Sequence, residues 1–191
     1  MNTLVSIFHS SGGFSYFKID YNDGFVLPAA LELATFAVAR LRDDKTCKII
    51  SALDTDGSLA EFELTEQALM PGDETWAKYV KGVVNKYCKE IHQVGQVTGF
   101  EIAFASDVPL GGSLSSSASL EVCTAAAREQ LYGITTVSKV DRALRCVEAE
   151  HEYAHVPCGI MDKFISSCAE EGFALLIDCR SMEIKKSGIG R

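Results

Sequence analysis

Hydrophobic positions between residues 75 and 92 recur at three- and four-residue steps. Trp76, Tyr79, Val80, Val83, Val84, Tyr87, Cys88 and Ile91 form one stripe, while Lys78, Lys81, Asn85, Lys86 and Lys89 fall on the other faces. That period predicts an amphipathic helix over 75–92 with an aromatic stripe turned to the core. Asp73 or Thr75 is the expected cap. A turn over 95–99 leads into a strand at 100–106. A second helix carries Ala118, Leu120, Val122, Ala125, Ala126 and Leu131 and ends at Gly133, with serines as its expected caps. A third covers 138–152, with Val140, Leu144, Val147 and His151 along one side. Pro157-Cys158-Gly159 breaks it; a short helix over 160–169 and a strand over 173–179 follow.

The N-terminal third is richer in strand signals. Asn22-Asp23-Gly24 is a tight-turn sequence between 14–21 and 25–28, which predicts a hairpin. Pro28 argues against a central strand position for the second arm. Strands over 48–53 and 61–64 are joined by Asp54-Thr55-Asp56-Gly57-Ser58. This acidic loop lacks the twelve-residue ligand register of a calcium loop and reads as a solvated turn. Residues 29–41 satisfy two patterns. Ala and Leu favour a helix, whereas Ala30, Glu32, Ala34, Phe36 and Val38 alternate as a strand face. No internal repeat is visible. The element order predicts an α+β fold, a mixed sheet packed against helices.

Composition narrows the class. The chain has 191 residues, 47% of them hydrophobic, enough for one real core but not for two full-sized domains. Eighteen basic and 26 acidic side chains give a net charge of -8, which argues against a broad nucleic-acid surface. No apolar run is long enough to cross a bilayer, so no membrane partner is expected. Residues 1–9 carry no basic leader, and no signal peptide is expected. The seven cysteines are scattered, odd in number and without a CxxC. That pattern suits reduced thiols in a cytosolic protein. His151 and His155 could share a helical face, but a metal site needs more ligands.

The candidate chemistry begins at Pro109-Leu110-Gly111-Gly112-Ser113-Leu114, which runs through Ser115, Ser116 and Ser117 into a helix. Such a loop presents unpaired N–H groups to an anion, and the hydroxyls can contact phosphate or hydrated magnesium. It is not a P-loop, since no lysine follows the glycines. Helix capping is the competing reading. Asp162 falls in the first turn of the short helix, where its anion is favoured. There it could position or deprotonate a hydroxyl. Glu150 sits near the end of the preceding helix, where a bound cation would offset an unfavourable carboxylate.

Four ordered segments carry a resemblance. PLGGSLSSSASLEVC resembles the central phosphate-binding motif of the galactokinases, within the GHMP superfamily of galacto-, homoserine, mevalonate and phosphomevalonate kinases. PCGIMDK resembles their catalytic-aspartate segment, FALLIDCRSMEIKKS the strand after it, and DYNDGFVLPAALELA the end of the sugar-binding signature. The resemblance implies a GHMP kinase N-terminal domain, ribosomal protein S5 domain 2-like. Its extent is 19–191, after an atypical segment at 1–18 and cut before a C-terminal domain. On this reading 29–41 is strand, 184–191 is a cut chain rather than a natural tail, and an apolar domain interface is left exposed. The implied activity is ATP-dependent phosphorylation of galactose at its anomeric hydroxyl. Gly111, Gly112, Ser113, Leu114, Ser115, Ser116 and Ser117 would bind ATP. Ser117 and Glu150 would hold magnesium. Asp162 would be catalytic, with Asp20, Tyr21, Asn22 and Gly159 beside it in the sugar pocket.

The departures are local. Where the family reads GRVNLIGEHTDY, this chain reads SSGGFSYFKIDY. Ser11 then stands at the expected arginine, Phe17 at the glutamate and Lys18 at the histidine. Ser113 replaces a loop glycine. Lys163 stands where glutamine is common, and its cation beside Asp162 would favour the carboxylate anion. A non-catalytic galactokinase-like regulator that binds sugar and nucleotide is the alternative reading.

Overall fold

The computed structural model describes residues 23–52, 57, 59–72, 76–93, 98–110 and 114–189, and the backbone alone of 5–12. Five strands form one sheet in the order β1 (Val5–Gly12), β3 (Ala30–Leu41), β6 (Phe100–Ser106), β4 (Thr46–Ser51), β5 (Ala60–Glu63). The sheet is mixed. β4 runs parallel to β6 and the other pairs are antiparallel. A smaller antiparallel sheet joins β2 (Phe25–Val26), β7 (Phe173–Asp178) and β8 (Glu183–Gly188). Among the described residues five α-helices accompany them: α1 (Ala77–Lys86), α2 (Cys88–Gln93), α3 (Ser116–Tyr132), α4 (Lys139–Ala149) and α5 (Met161–Cys168). A π-helical turn, Glu150–Ala154, extends α4.

Residues 29–41 resolve as strand. Burial of the inward face outweighs helix propensity here: Thr35, Ala37 and Ala39 are buried, whereas Val38 on the opposite face is 43% exposed. On β6, Phe100, Ile102 and Phe104 alternate inward in the same way. Each such side chain contributes about 1.5–3 kcal/mol of burial. The alanines of β3 let α3 approach closely, and α3 is buried around most of its circumference. Its polar residues are consequently drawn into the core. Ser119 donates to Thr35 Oγ1 at 2.7 Å. Glu129 accepts from the Tyr87 hydroxyl at 2.6 Å and from Arg142. The Arg128 guanidinium lies between the rings of Phe100 and Tyr132, at 4.7 and 4.5 Å.

Two expectations need correction. The helix over 75–92 is two helices, because Tyr87 leaves helical geometry (φ -105°, ψ -2°) and its N–H bonds Val84, three residues back. The stripe survives, since Tyr87 and Ile91 are both buried. The helix over 138–152 gives way to the π-turn at Glu150. Glu183–Gly188 forms β8, paired with β7 from Phe173↔Gly188 to Asp178↔Glu183. The second arm of the expected hairpin pairs with β7, and the first arm lies outside the described residues. Asp73, Thr75 and Asp54–Asp56 also lie outside them. Among the described residues, no helix is long and apolar enough to cross a membrane. All seven cysteines are free thiols.

Candidate active site

α3 begins where the Gly-Ser loop ends. Ser115 occupies the first boundary position in the left-handed region (φ 60°), and its side chain makes no capping bond. Ser115, one of the serines expected to cap this helix, does not do so. The first intrahelical bond runs from the Ser119 N–H to the Ser115 carbonyl at 3.0 Å. The amides of the opening turn face the loop without a side-chain acceptor from Ser115. Ser116 and Ser117 are half-buried there.

One turn deeper, Glu121 lies four residues from Ser117 on the same helical face. It is fully buried, and neither carboxylate oxygen accepts a hydrogen bond. Burial pushes its pKa up to about 8, opposed by the neighbouring Lys163. Glu150 reaches the same place from the π-turn, and Lys163 from the first turn of α5. The Lys163 ammonium donates to Glu150 Oε2, lies 3.5 Å from Glu121 Oε2, and donates to Cys158 Sγ at 3.3 Å. At 3.5 Å the Glu121 contact is an ion pair rather than a hydrogen bond. The Lys163 cation thus pairs with Glu150 and Glu121.

The π-turn is held from below. Tyr153 is buried, its hydroxyl donates to the Leu69 carbonyl, and its ring lies over Gly82 of α1. A Cβ at Gly82 would meet that ring at 3.0 Å. The return segment is pinned by His151, whose Nε2 lies 2.8 Å from the Cys158 carbonyl. These contacts fix where Gly159 and Asp162, both half-buried, stand at the start of α5. Tyr79 completes the surroundings; burial and the nearby Glu121 raise its pKa.

Of the expected site residues, Leu114, Ser115, Ser116, Ser117, Glu150, Gly159 and Asp162 are described. Asp20, Tyr21, Asn22, Gly111, Gly112 and Ser113 lie outside the described residues. Sequence reasoning passed over Glu121 and Cys158 as site residues. The four-residue spacing of Ser117 and Glu121 was a usable signal for the first. Nothing local marked the second.

Magnesium at Ser117 and Glu150 was also expected. A metal held there needs a free carboxylate. Glu150 is 3% exposed and already carries the Lys163 ammonium, so the residues present do not fit a metal at that position. Among the described residues, no group of three or more His, Cys, Asp or Glu is placed to hold a metal ion.

Residues 78–170 match the model of the GHMP kinases N terminal domain, and residues 18–41 match the galactokinase galactose-binding signature. Over these residues the chain is similar to the GHMP kinases. Its similarity within them is to galactokinases. It is 45% identical to galactokinase of Canis lupus familiaris over 168 residues, which is 86% of this chain and 41% of that protein. Human galactokinase is 44% identical over the same shares. The chain therefore spans about two fifths of the length of the curated relatives it matches. The crystal structure of Lactococcus lactis galactokinase complexed with galactose superposes with a TM-score of 0.87 at 28% identity, covering 98% of this chain and 47% of that one. Methanococcus jannaschii mevalonate kinase shares the fold, with a TM-score of 0.71 at 17% identity, 99% of this chain and 56% of that one.

Proposed function

We propose that this GHMP kinase domain, over 19–191, binds ATP and galactose and supports phosphorylation of the sugar at its anomeric hydroxyl, giving galactose 1-phosphate. The observation that carries the reading is the joint supply of the α3 N-terminus and Asp162 by segments of galactokinase type. The amides and hydroxyls of Leu114, Ser115, Ser116 and Ser117, with Gly111, Gly112 and Ser113 before them, cradle the ATP phosphates. Asp20, Tyr21, Asn22 and Gly159 hold the sugar. Asp162 accepts a hydrogen bond from the reacting hydroxyl and takes its proton as the sugar oxygen bonds the γ-phosphorus, whose bond to the β,γ-bridging oxygen breaks to release ADP. The resemblance also implies magnesium. With Glu150 neutralised by Lys163, Ser117 alone is too poor a donor set for a metal held by the protein. Free thiols suit a reducing compartment, and we assign the chain to the cytoplasm.

Galactose-dependent ADP release by the purified chain, lost in Asp162→Asn, is the expected result. Saturable binding of both ligands without turnover would instead support a non-catalytic sugar- and nucleotide-binding role. That second reading is favoured by Ser11 at the position of the expected arginine, since serine cannot offer a guanidinium to transferring phosphate.

A further inference from the structure

Beneath the opening turn of α3 lie two buried acids, and the cation that matches them is part of the chain. Glu121, Glu150 and Lys163 are 0%, 3% and 1% exposed. They come from three separate helical elements and meet at one ammonium, which bonds Glu150 and stands 3.5 Å from Glu121. Two carboxylates at the base of a phosphate loop form the oxygen-rich pocket a divalent cation would otherwise fill. Buried charges persist only when paired. Here a tethered amine supplies the pairing and cannot dissociate. A metal ligated by Glu150 would share a carboxylate already bonded to the Lys163 ammonium, and would sit against a like charge in a poorly solvated place.

We propose that Lys163 takes the place of a protein-held divalent cation at Glu150, so that the site beneath the phosphate loop is neutralised internally. Any divalent cation that arrives with a nucleotide is then held by the phosphates and not by Glu150. The nucleotide part rests on the kinase reading above, whereas the metal part concerns Glu121, Glu150 and Lys163 alone.

The test titrates Mn2+ alone into the full 191-residue chain, with free metal read by electron paramagnetic resonance. The wild-type chain is expected to show no saturable Mn2+ binding into the millimolar range. Lys163→Gln is expected to gain one site, at least about tenfold tighter than any wild-type binding, and Glu150→Gln in that background is expected to remove it. Saturable wild-type binding that Glu150→Gln abolishes would overturn the proposal. So would a Lys163→Gln chain, folded by circular dichroism, that gains no site. Should Lys163→Gln not fold, the wild-type titration still decides. ADP calorimetry is run separately: no ADP binding would defeat the nucleotide reading and leave the metal result standing.

Discussion

Replacing Glu121 with glutamine isolates the energetic cost of the buried acid. The amide has the same shape and never ionises. In the unfolded chain the carboxyl titrates near its ordinary value of 4.5, while burial in the fold pushes it up to about 8. A carboxyl raised in this way contributes stability that is fully present below pH 4.5 and lost as pH rises through 8. The gap between 4.5 and about 8 is worth about 5 kcal/mol once the group is fully ionised. Most of that loss, about 4 kcal/mol, falls between pH 5 and pH 9. Glu121→Gln should therefore match the wild type within about 1 kcal/mol at pH 5 and exceed its stability by several kcal/mol at pH 9. Urea unfolding at a series of pH values reads this directly, provided the slope m is unchanged between variants. Parallel stability profiles for the two chains would refute the reasoning, because Glu121 would then titrate alike in the folded and unfolded states.

Three further outcomes follow from the packing. Gly99→Ala should destabilise by at least about 3 kcal/mol by urea unfolding, since a Cβ there would collide with the Thr46 carbonyl oxygen. Tyr87→Phe removes the donor to buried Glu129 and should lower stability by about 1–3 kcal/mol, measured in the same way; no change would mean that Arg142 alone satisfies the acid. Lys163→Met strands the Glu150 carboxylate without its cation and should cost about 3–5 kcal/mol at pH 8. The loss should shrink at pH 5, where protonation of the acids relieves the missing charge. An equal loss at both pH values would show that packing, not charge, is what Lys163 contributes.

Much of the fold was legible because periodicity reports burial. β6 and α3 lie close to where alternation and helical spacing put them, and the β4–β5 pair was marked by two apolar runs around an acidic turn. β3 was not decidable from propensity, since Ala and Leu suit a helix as well as a buried strand; the resemblance settled it. The break at Tyr87 was hidden because an apolar stripe continues through it, and only the geometry of one residue interrupts the helix. β8 was hidden because Glu183–Gly188 is polar and mostly exposed, so backbone pairing with β7 forms it without an apolar pattern. At the site, the start of α3 after the Gly-Ser loop and the place of Asp162 in the first turn of α5 could be read from the sequence. The Lys163–Glu150–Glu121 cluster could not. It depends on three helical elements converging from distant parts of the chain, a tertiary fact that the neighbouring sequence of Lys163 does not record.

Calorimetry of ATP binding to the 191-residue chain, with and without saturating galactose, tests most directly whether the phosphate loop and the Asp162 segment serve one site. The account predicts saturable ATP binding that galactose strengthens. A demonstrably folded chain that binds neither ligand, or binds ATP with an affinity indifferent to galactose, would contradict it.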